Sequence, residues 1–288
     1  MLAIYKRELK SYLTSMYGFL FMFLMLLFTG FSVWSTNLLY GYADISYALA
    51  QSELILIIAI PVLCMKSLAS DMHNKTDMFL RSLPIKTADI VLGKYLALLT
   101  VFALPTLIIA LYPVVLGFYG EVNYLSAYTA LLGFFLLGAA LIAVCQFLSS
   151  LTENVIVAAV LSIIAVLAMY FMYDIAYVLP KGALASFISF VIVALLVAVA
   201  VYFGTKNVMI ALVTAAVIII PLLVLYILFG ASFEALFPRL LLFISPFVSF
   251  QQRIISGLLD LAAVATLLSY VVFFVFLTHQ SVDKKRWS

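Results

Sequence analysis

The chain has 288 residues and a formal net charge of +3; 67% of its residues are hydrophobic and only 9% are charged. Soluble globular domains carry about 25% charged residues, so this composition excludes an ordinary soluble domain and indicates a protein embedded in lipid. The two cysteines, Cys64 and Cys145, lie in apolar runs, and the chain has two histidines. A structural zinc site needs about four such ligands close together. We therefore expect two free thiols and no metal site.

The first predicted element is an interfacial helix over residues 1–14. Its apolar and basic side chains fall on opposite faces, with Leu2, Tyr5, Leu9, Tyr12 and Leu13 against Lys6, Arg7 and Lys10. This segregation is typical of a helix that lies on a membrane surface and argues against the alternative of a solvated basic tail. The apolar run that follows is about twice as long as a secretory signal core and has no small-x-small cleavage site after it, so we predict a membrane span.

Eight segments are long and apolar enough to cross a bilayer as helices, which takes about 20 residues each. They are residues 16–35, 52–69, 89–117, 125–148, 155–173, 187–204, 208–229 and 261–279. The third is long enough to tilt or to break, at Pro105 or Pro113. We therefore predict an all-α polytopic membrane protein with about eight transmembrane helices in a single domain over residues 1–288.

The basic residues predict the orientation of these spans, because cytoplasmic loops are enriched in Lys and Arg. With the N-terminus inside, the cytoplasmic set is Lys6, Arg7, Lys10, Lys66, Lys75, Arg81, Lys86, Lys94, Lys206, Lys284, Lys285 and Arg286. The outside set is Lys181, Arg239 and Arg253. We therefore expect both termini in the cytoplasm and residues 118–124, 174–186 and 231–260 outside.

The acidic residues divide evenly between the two sides, and Glu53 falls in the outside set. Almost every charge lies at a span end or in a loop, so none is placed near the bilayer midplane. Ion-coupled transporters usually carry Asp, Glu or His at that depth. The distribution therefore argues against a secondary transporter.

Residues 70–89, SDMHNKTDMFLRSLPIKTAD, form the longest predicted cytoplasmic loop, and Pro84 divides it. Before the proline, a short helix would carry Phe79 and Leu80 on one side, among charged residues. Such apolar side chains suit docking to another protein, but the same side chains could instead contact lipid or the chain's own spans. After the proline, Thr87 is expected to cap the third span.

The dipeptide Gly93-Lys94 is not the end of a phosphate-binding loop. Such a loop needs Gly-x-x-x-x-Gly-Lys-Ser/Thr after a strand, and here Tyr95 stands at the hydroxyl position. We therefore predict that the chain has no nucleotide site of its own. Lys94 is instead expected to extend to the inner interface and to anchor its span there.

Two further segments have helix signals. In the turn between the fourth and fifth spans, Ser150 and Glu153 fit a capping box with Ser150 as the N-cap.

Residues 231–260 are expected to hold an outer amphipathic helix. Its apolar face is Phe247, Phe250, Ile254 and Leu258, opposite Gln251, Gln252 and Arg253. We interpret it as an ordinary interfacial helix, with the mouth of a substrate path as the alternative.

Five stretches resemble the ABC-2 exporter permeases, and they occur in that family's order. They are IYKRELKSYLTS before the first span, IPVLCMKSLASD at the end of the second, SLPIKTADIVLGKY after the loop, SSLTEN after the fourth span and SPFVSFQQRIISGLLDL before the last. The group that they resemble includes the gliding-motility and nitrous-oxide-cluster permeases. The similarity covers nearly the whole chain apart from the region of residues 180–240.

The resemblance implies a permease subunit of an ATP-binding-cassette exporter in the cytoplasmic membrane, paired with a second permease copy or a related permease. ATP would be bound by a separate cytoplasmic ATPase subunit, so this chain would need no cofactor and would not itself be an enzyme. No nucleic acid partner is expected. The family's docking elements are the N-terminal helix and the 70–84 loop. They place the candidate ATPase-docking residues at Tyr5, Arg7, Glu8, Asp71, Thr76, Asp77, Phe79, Leu80, Arg81 and Pro84, with a secondary inner-turn contact at Glu153.

Two features depart from the family's usual pattern. The family loop typically reads Ala-Glu-Glu-Arg-x-x-Gly-Thr, whereas here Ser70-Asp71 stands at the acidic pair and Lys75 at the glycine position; of the acidic pair, the glycine and the threonine, only Asp71 and Thr76 match. Six spans are usual in the family. We therefore interpret residues 187–229 as an additional helix pair of unknown role.

Three other function classes are open as alternatives. A non-transporting membrane anchor or sensor with the same architecture would share every sequence feature described above. An intramembrane enzyme would need an acid, a base or a nucleophile gathered at one depth, and the two histidines and scattered acids provide no such group. A secondary transporter lacks the expected midplane charge. The composition does not identify the transported substrate.

Overall fold

Eight helices of the described chain are long and apolar enough to cross a membrane, and they match the eight predicted spans in number and order. The computed structural model describes residues 1–76, 86–254 and 260–287. Every regular element in these residues is helical, which confirms the predicted all-α polytopic membrane fold. The chain divides into two compact units, one of Met1–Tyr170 with Pro246–Ser288 and one of Phe171–Ser245.

In chain order the α-helices are α1 (Leu2–Thr14), α2 (Met16–Val33), α3 (Ser46–Cys64), α4 (Ala69–His73), α5 (Thr87–Ile109), α6 (Tyr112–Leu116), α7 (Tyr124–Leu151), α8 (Val155–Val178), α9 (Ala183–Thr205), α10 (Val208–Leu228), α11 (Leu236–Ile244), α12 (Pro246–Val248) and α13 (Leu261–Trp287). Two π-helical segments extend this set, Trp34–Leu38 after α2 and Ser249–Ile254 after α12. A short 3₁₀ turn covers Gly230–Phe233.

The helices α3 and α7 are the most buried spans of the first unit. Close packing in this unit depends on Gly138 of α7, because a Cβ atom there would lie 2.2 Å from the ring of Phe102 in α5. The Phe102 ring also contacts the rings of Phe21, Phe134 and Phe135, at centroid distances of 6.3, 6.2 and 5.7 Å. A small residue on one helix and a large ring on its neighbour thus fill the space between α5 and α7.

The third predicted span breaks at one of its two candidate prolines. Pro105 lies inside α5, which ends at Ile109, and α6 begins at Tyr112 with Pro113 in its first turn. A proline is tolerated in the first turn of a helix, where its missing N–H group has no partner to lose. The break therefore falls just before Pro113.

The first helix, α1, packs along α5. A Cβ atom on Gly93 of α5 would lie 3.3 Å from the Cβ of Ile4, so the glycine allows the two helices to approach closely. The corner between α1 and α2 depends on Gly18, since a Cβ atom there would lie 2.1 Å from the carbonyl oxygen of Tyr12. Ile4 and Tyr12 are buried. Protein therefore covers part of the α1 surface that was predicted to face the membrane.

The helix α3 begins at Ser46, earlier than the predicted span start at residue 52. The Asn37 side chain donates hydrogen bonds to the carbonyl oxygens of Tyr42 and Asp44, at 2.6 and 2.9 Å, and the Asp44 carboxylate accepts one from the Ser46 N–H at 2.9 Å. These polar contacts start the helix early. Glu53, which the sequence placed outside, therefore lies within α3 and is 1% exposed.

The 246–254 segment also differs from the predicted interfacial helix. Phe247 and Phe250 are 1% and 0% exposed and belong to the core of the first unit. The Phe247 ring contacts Tyr170 at a centroid distance of 5.3 Å, and the Phe250 ring contacts Phe134 at 6.1 Å. These two members of the predicted apolar face are covered by aromatic rings of the protein instead of lipid headgroups.

The second unit contains the predicted 187–229 helix pair, as α9 and α10. Lys206 ends α9 in the left-handed conformation, with φ of 52°, and the Asn207 side chain caps α10 by accepting a hydrogen bond from the Met209 N–H at 2.9 Å. The rings of Phe187 and Tyr226 stack between the two helices at a centroid distance of 4.8 Å. The two helices are confirmed, and their interpretation as an addition to the family's usual spans stays a prediction.

Candidate functional site

A lysine from the apolar sequence of α5 lies where α1, α4 and α5 meet. Lys94 is 2% exposed, and its ammonium group is 3.0 Å from Glu8 Oε1, 2.7 Å from Asp71 Oδ2 and 2.7 Å from the carbonyl oxygen of Ser67. Three acceptor oxygens therefore surround the three N–H donors of this ammonium group. The prediction that Lys94 extends to the interface is wrong, because two carboxylates from other elements pair with it inside the protein.

A second cation, Arg7, balances the charge of the two carboxylates. The guanidinium of Arg7 is 2.7 Å from the same Glu8 oxygen, and the Arg7 side chain is half exposed. Two cations thus face two carboxylates, as charges that are removed from water require. We call Arg7, Glu8, Asp71 and Lys94 the charge cluster.

Two tyrosines extend the contacts of α1. The hydroxyl groups of Tyr5 and Thr100 are 3.0 Å apart and share a hydrogen bond. Tyr12 is buried close to the charge cluster. Burial raises the pKa of the Tyr12 phenol well above its ordinary value, and the nearby Glu8 and Asp71 carboxylates add to the effect. Tyr12 is therefore a neutral side chain at physiological pH.

The short helix α4 is held from a second side by α7. The Ser149 hydroxyl of α7 accepts hydrogen bonds from the N–H groups of Leu68 and Ala69, at 3.3 and 3.1 Å. After α4, the Thr76 hydroxyl donates a hydrogen bond to Asp71 Oδ1 at 3.1 Å. The chain that leads into residues 77–85 is therefore anchored to both α5 and α7.

The chain that follows residue 85 is anchored by α13. The Thr87 hydroxyl donates a hydrogen bond to Asp283 Oδ1 at 2.8 Å, and the Lys285 ammonium donates one to the carbonyl oxygen of Ser150 at 2.8 Å. The prediction that Thr87 caps its span is wrong. The N-cap of α5 is Lys86, without a side-chain cap, because α13 engages the Thr87 hydroxyl.

The predicted capping box at the turn after α7 is also wrong. Ser150 lies inside α7, which continues to Leu151, so it cannot start the next helix. Asn154 caps α8 instead, because its Oδ1 accepts hydrogen bonds from the N–H groups of Ile156 and Val157, at 2.9 and 3.3 Å. Glu153 is exposed in the turn.

The structure therefore brings together Arg7, Glu8 and Asp71 among the predicted docking residues, with Tyr5 and Thr76 beside them. The remaining ones, Asp77, Phe79, Leu80, Arg81 and Pro84, lie outside the described residues, as does Leu258 of the predicted outer helix. The docking role of the set stays a prediction. Glu8 and Asp71 point inward to Lys94 and so hold α1 and α4 against α5.

Lys75 has a backbone conformation that explains a feature of the sequence pattern. It stands where the resembled permeases carry glycine, and its φ is 56°. The left-handed conformation costs a residue other than glycine about 1–2 kcal/mol. We expect Lys75→Gly to raise the free energy of unfolding by about 0.5–1 kcal/mol, after allowance for the higher entropy of glycine in the unfolded chain.

Thermal unfolding of the detergent-solubilised protein measures this effect. The matched control is Lys10→Gly, because Lys10 is an exposed lysine inside α1. Glycine costs about 1 kcal/mol in a helix interior, so we expect the control to lower the stability. A Lys75→Gly variant that is no more stable than the wild type contradicts the prediction.

Sequence reasoning missed Lys94 and Ser149 as parts of this site. Lys94 had a usable signal, since a lysine inside an apolar span is usually paired within the protein. Ser149 had none, because a serine in an apolar helix is common and its backbone partners are far away in the sequence.

Comparison with known proteins identifies the family. A family model described as "ABC-2 family transporter protein" matches residues 4–203, which is more than half of the chain. No curated protein matches the chain. The matched range contains most of α1, the charge cluster and the first six candidate membrane spans. The protein therefore belongs to the ABC-2 family of transporter proteins.

Proposed function

We propose that this protein is the permease subunit of an ATP-driven exporter, and that a separate cytoplasmic ATPase docks on the end of the first unit that holds the charge cluster. Membership of the ABC-2 family supports the permease role. The observation that carries the docking site is that the described chain is anchored just before residue 77, by Lys94 and Ser149, and just after residue 85, by Asp283.

The distribution of charge supports a cytoplasmic position for this end. Lys6, Arg7 and Lys10 lie on α1, and Lys75 and Lys86 lie in the chain on either side of residues 77–85. Positive residues are enriched on the cytoplasmic side of membrane proteins. The hydrogen bond between Asp283 and Thr87 places the end of α13 at the same end of the first unit as α1. Both termini would therefore be cytoplasmic.

The charge cluster would pass a movement of the docked ATPase to the membrane spans. Asp71 lies on α4, Glu8 on α1 and Lys94 on α5, and separating them would leave buried charges without partners. Two further bonds join α5 to α7: Gln146 Nε2 donates to the Val91 carbonyl oxygen at 3.1 Å, and the Tyr95 hydroxyl donates to the Ala139 carbonyl oxygen at 3.2 Å. These contacts form a continuous path from α4 into the central helices.

Cysteine labelling in intact cells tests the orientation. Glu121 and Lys10 are both exposed, at opposite ends of the first unit, and the native Cys64 and Cys145 are buried. A membrane-impermeant maleimide is expected to label Glu121→Cys in intact cells and Lys10→Cys only after permeabilisation. The reverse pattern rejects the proposed orientation.

Reconstitution tests the docking. The permease in lipid nanodiscs is mixed with each candidate ABC ATPase of the source genome, and binding and ATP hydrolysis are measured. We expect one ATPase to bind and the permease alone to hydrolyse no ATP, because the sequence contains no phosphate-binding loop. Hydrolysis by the highly purified permease, or failure of every candidate to bind, contradicts the proposal.

A further inference from the structure

A carboxyl group lies deep in the first unit, at the end opposite the charge cluster. Glu53 is 1% exposed and lies about 10 Å along α3 from its start at Ser46. Its Oε1 accepts a hydrogen bond from the side-chain amide of Gln251. Its other oxygen, Oε2, is buried and has no hydrogen-bond partner among the described residues.

The 246–254 segment covers this carboxyl group. Gln251 belongs to its π-helical part, and Phe247 and Phe250 fix the segment in the core. The Ser249 hydroxyl shares a hydrogen bond of 3.0 Å with the Thr266 hydroxyl of α13. π-Helical turns are uncommon and occur frequently at functional sites. The segment is thus held over Glu53 by a few polar bonds and two aromatic rings.

No charged side chain compensates Glu53 in the part of the chain that the structure describes. The elements that pack against α3 are α2, α7 and the two π-helical segments. Their titratable side chains, together with those of α3 itself, are Tyr17, Tyr47, Cys64, Tyr124, Tyr128, Cys145 and Arg253. The Arg253 side chain lies outside the described residues, and none of the others has a hydrogen bond or ion pair with Glu53.

An ionised carboxylate without a counter-charge is very costly in such surroundings, whereas a neutral carboxyl group is far less so. We propose that Glu53 is a proton-binding site: its carboxyl group holds a proton while the 246–254 segment covers it, and releases that proton to water when the segment moves away from α3. The carboxylate that remains opposes the return of the segment until it binds a proton again. Opening of this end is thereby linked to proton release, independently of ATPase docking.

Infrared spectroscopy tests the proposal, because a neutral carboxylic acid and a carboxylate absorb at different frequencies. The chain has four other glutamates: Glu121, Glu153 and Glu234 are exposed, and Glu8 pairs with Lys94. In protein labelled with ¹³C-glutamate, an isotope-shifted neutral carboxyl band at neutral pH therefore reports Glu53. We expect this band in the wild type and its loss in Glu53→Gln.

The wild-type measurement decides the proposal even if Glu53→Gln fails to fold. A labelled wild-type spectrum with only carboxylate bands overturns it. Ser249→Ala tests the link to the covering segment, because it removes the hydrogen bond to Thr266 that helps to hold the segment, while the Gln251 amide that faces Glu53 is kept. We expect its neutral carboxyl band to disappear at a lower pH than that of the wild type, since water then reaches the carboxyl group. A titration that is unchanged or shifted to higher pH overturns the role of the segment.

Discussion

Replacing Lys94 by methionine is expected to lower the free energy of unfolding by about 3–5 kcal/mol, the usual result of removing one partner from a buried ion pair. The change leaves Glu8 and Asp71 without their common cation in a site where Lys94 is 2% exposed. Methionine retains most of the volume of the side chain, so the loss measures charge compensation rather than a cavity. Thermal unfolding of the detergent-solubilised protein provides the comparison.

The control is Lys10→Met, which removes a lysine from the exposed face of α1. It is expected to change the stability by less than about 0.5 kcal/mol. A third variant combines Lys94→Met with Glu8→Gln and Asp71→Asn, and it should recover part of the loss because these buried groups then carry no unpaired charge. Equal effects of Lys94→Met and Lys10→Met would show that the charge cluster does not stabilise the fold.

The helices were predictable because membrane spans are a local property of the sequence. A run of about 20 apolar residues must form a helix in lipid, so eight such runs identified eight spans. The errors lie at the helix ends, because single polar contacts there determine the residue at which a helix begins. Asn37 and Asp44 start α3 early, and Asn154 takes the capping role expected of Ser150.

The contacts between helices were not predictable in the same way. The position of Lys94 inside an apolar span indicates that it is paired, but nothing local indicates that its partners are Glu8 and Asp71. The pairing of Glu53 with Gln251 joins residues 198 positions apart. Such contacts depend on how the helices pack, which the single sequence does not specify.

Replacing Phe79 by alanine is expected to weaken the binding of the ATPase by about 2 kcal/mol, roughly 30-fold in Kd, and to leave the stability of the permease unchanged. The sequence predicts Phe79 among charged residues between two anchored stretches of chain, and large apolar side chains at such positions dominate protein interfaces. The measurement is ATPase binding to the permease in nanodiscs, with thermal unfolding of the isolated permease beside it.

The matched control is Phe118→Ala, because Phe118 is 83% exposed at the end opposite the charge cluster and should not affect the ATPase. Arg81→Glu should weaken binding less than Phe79→Ala, and its effect should shrink at high salt, since exposed charges are screened. The rival interpretation, in which Phe79 contacts lipid or the chain's own spans, predicts the opposite pair of results. Phe79→Ala would then lower the melting temperature of the isolated permease and leave ATPase binding intact.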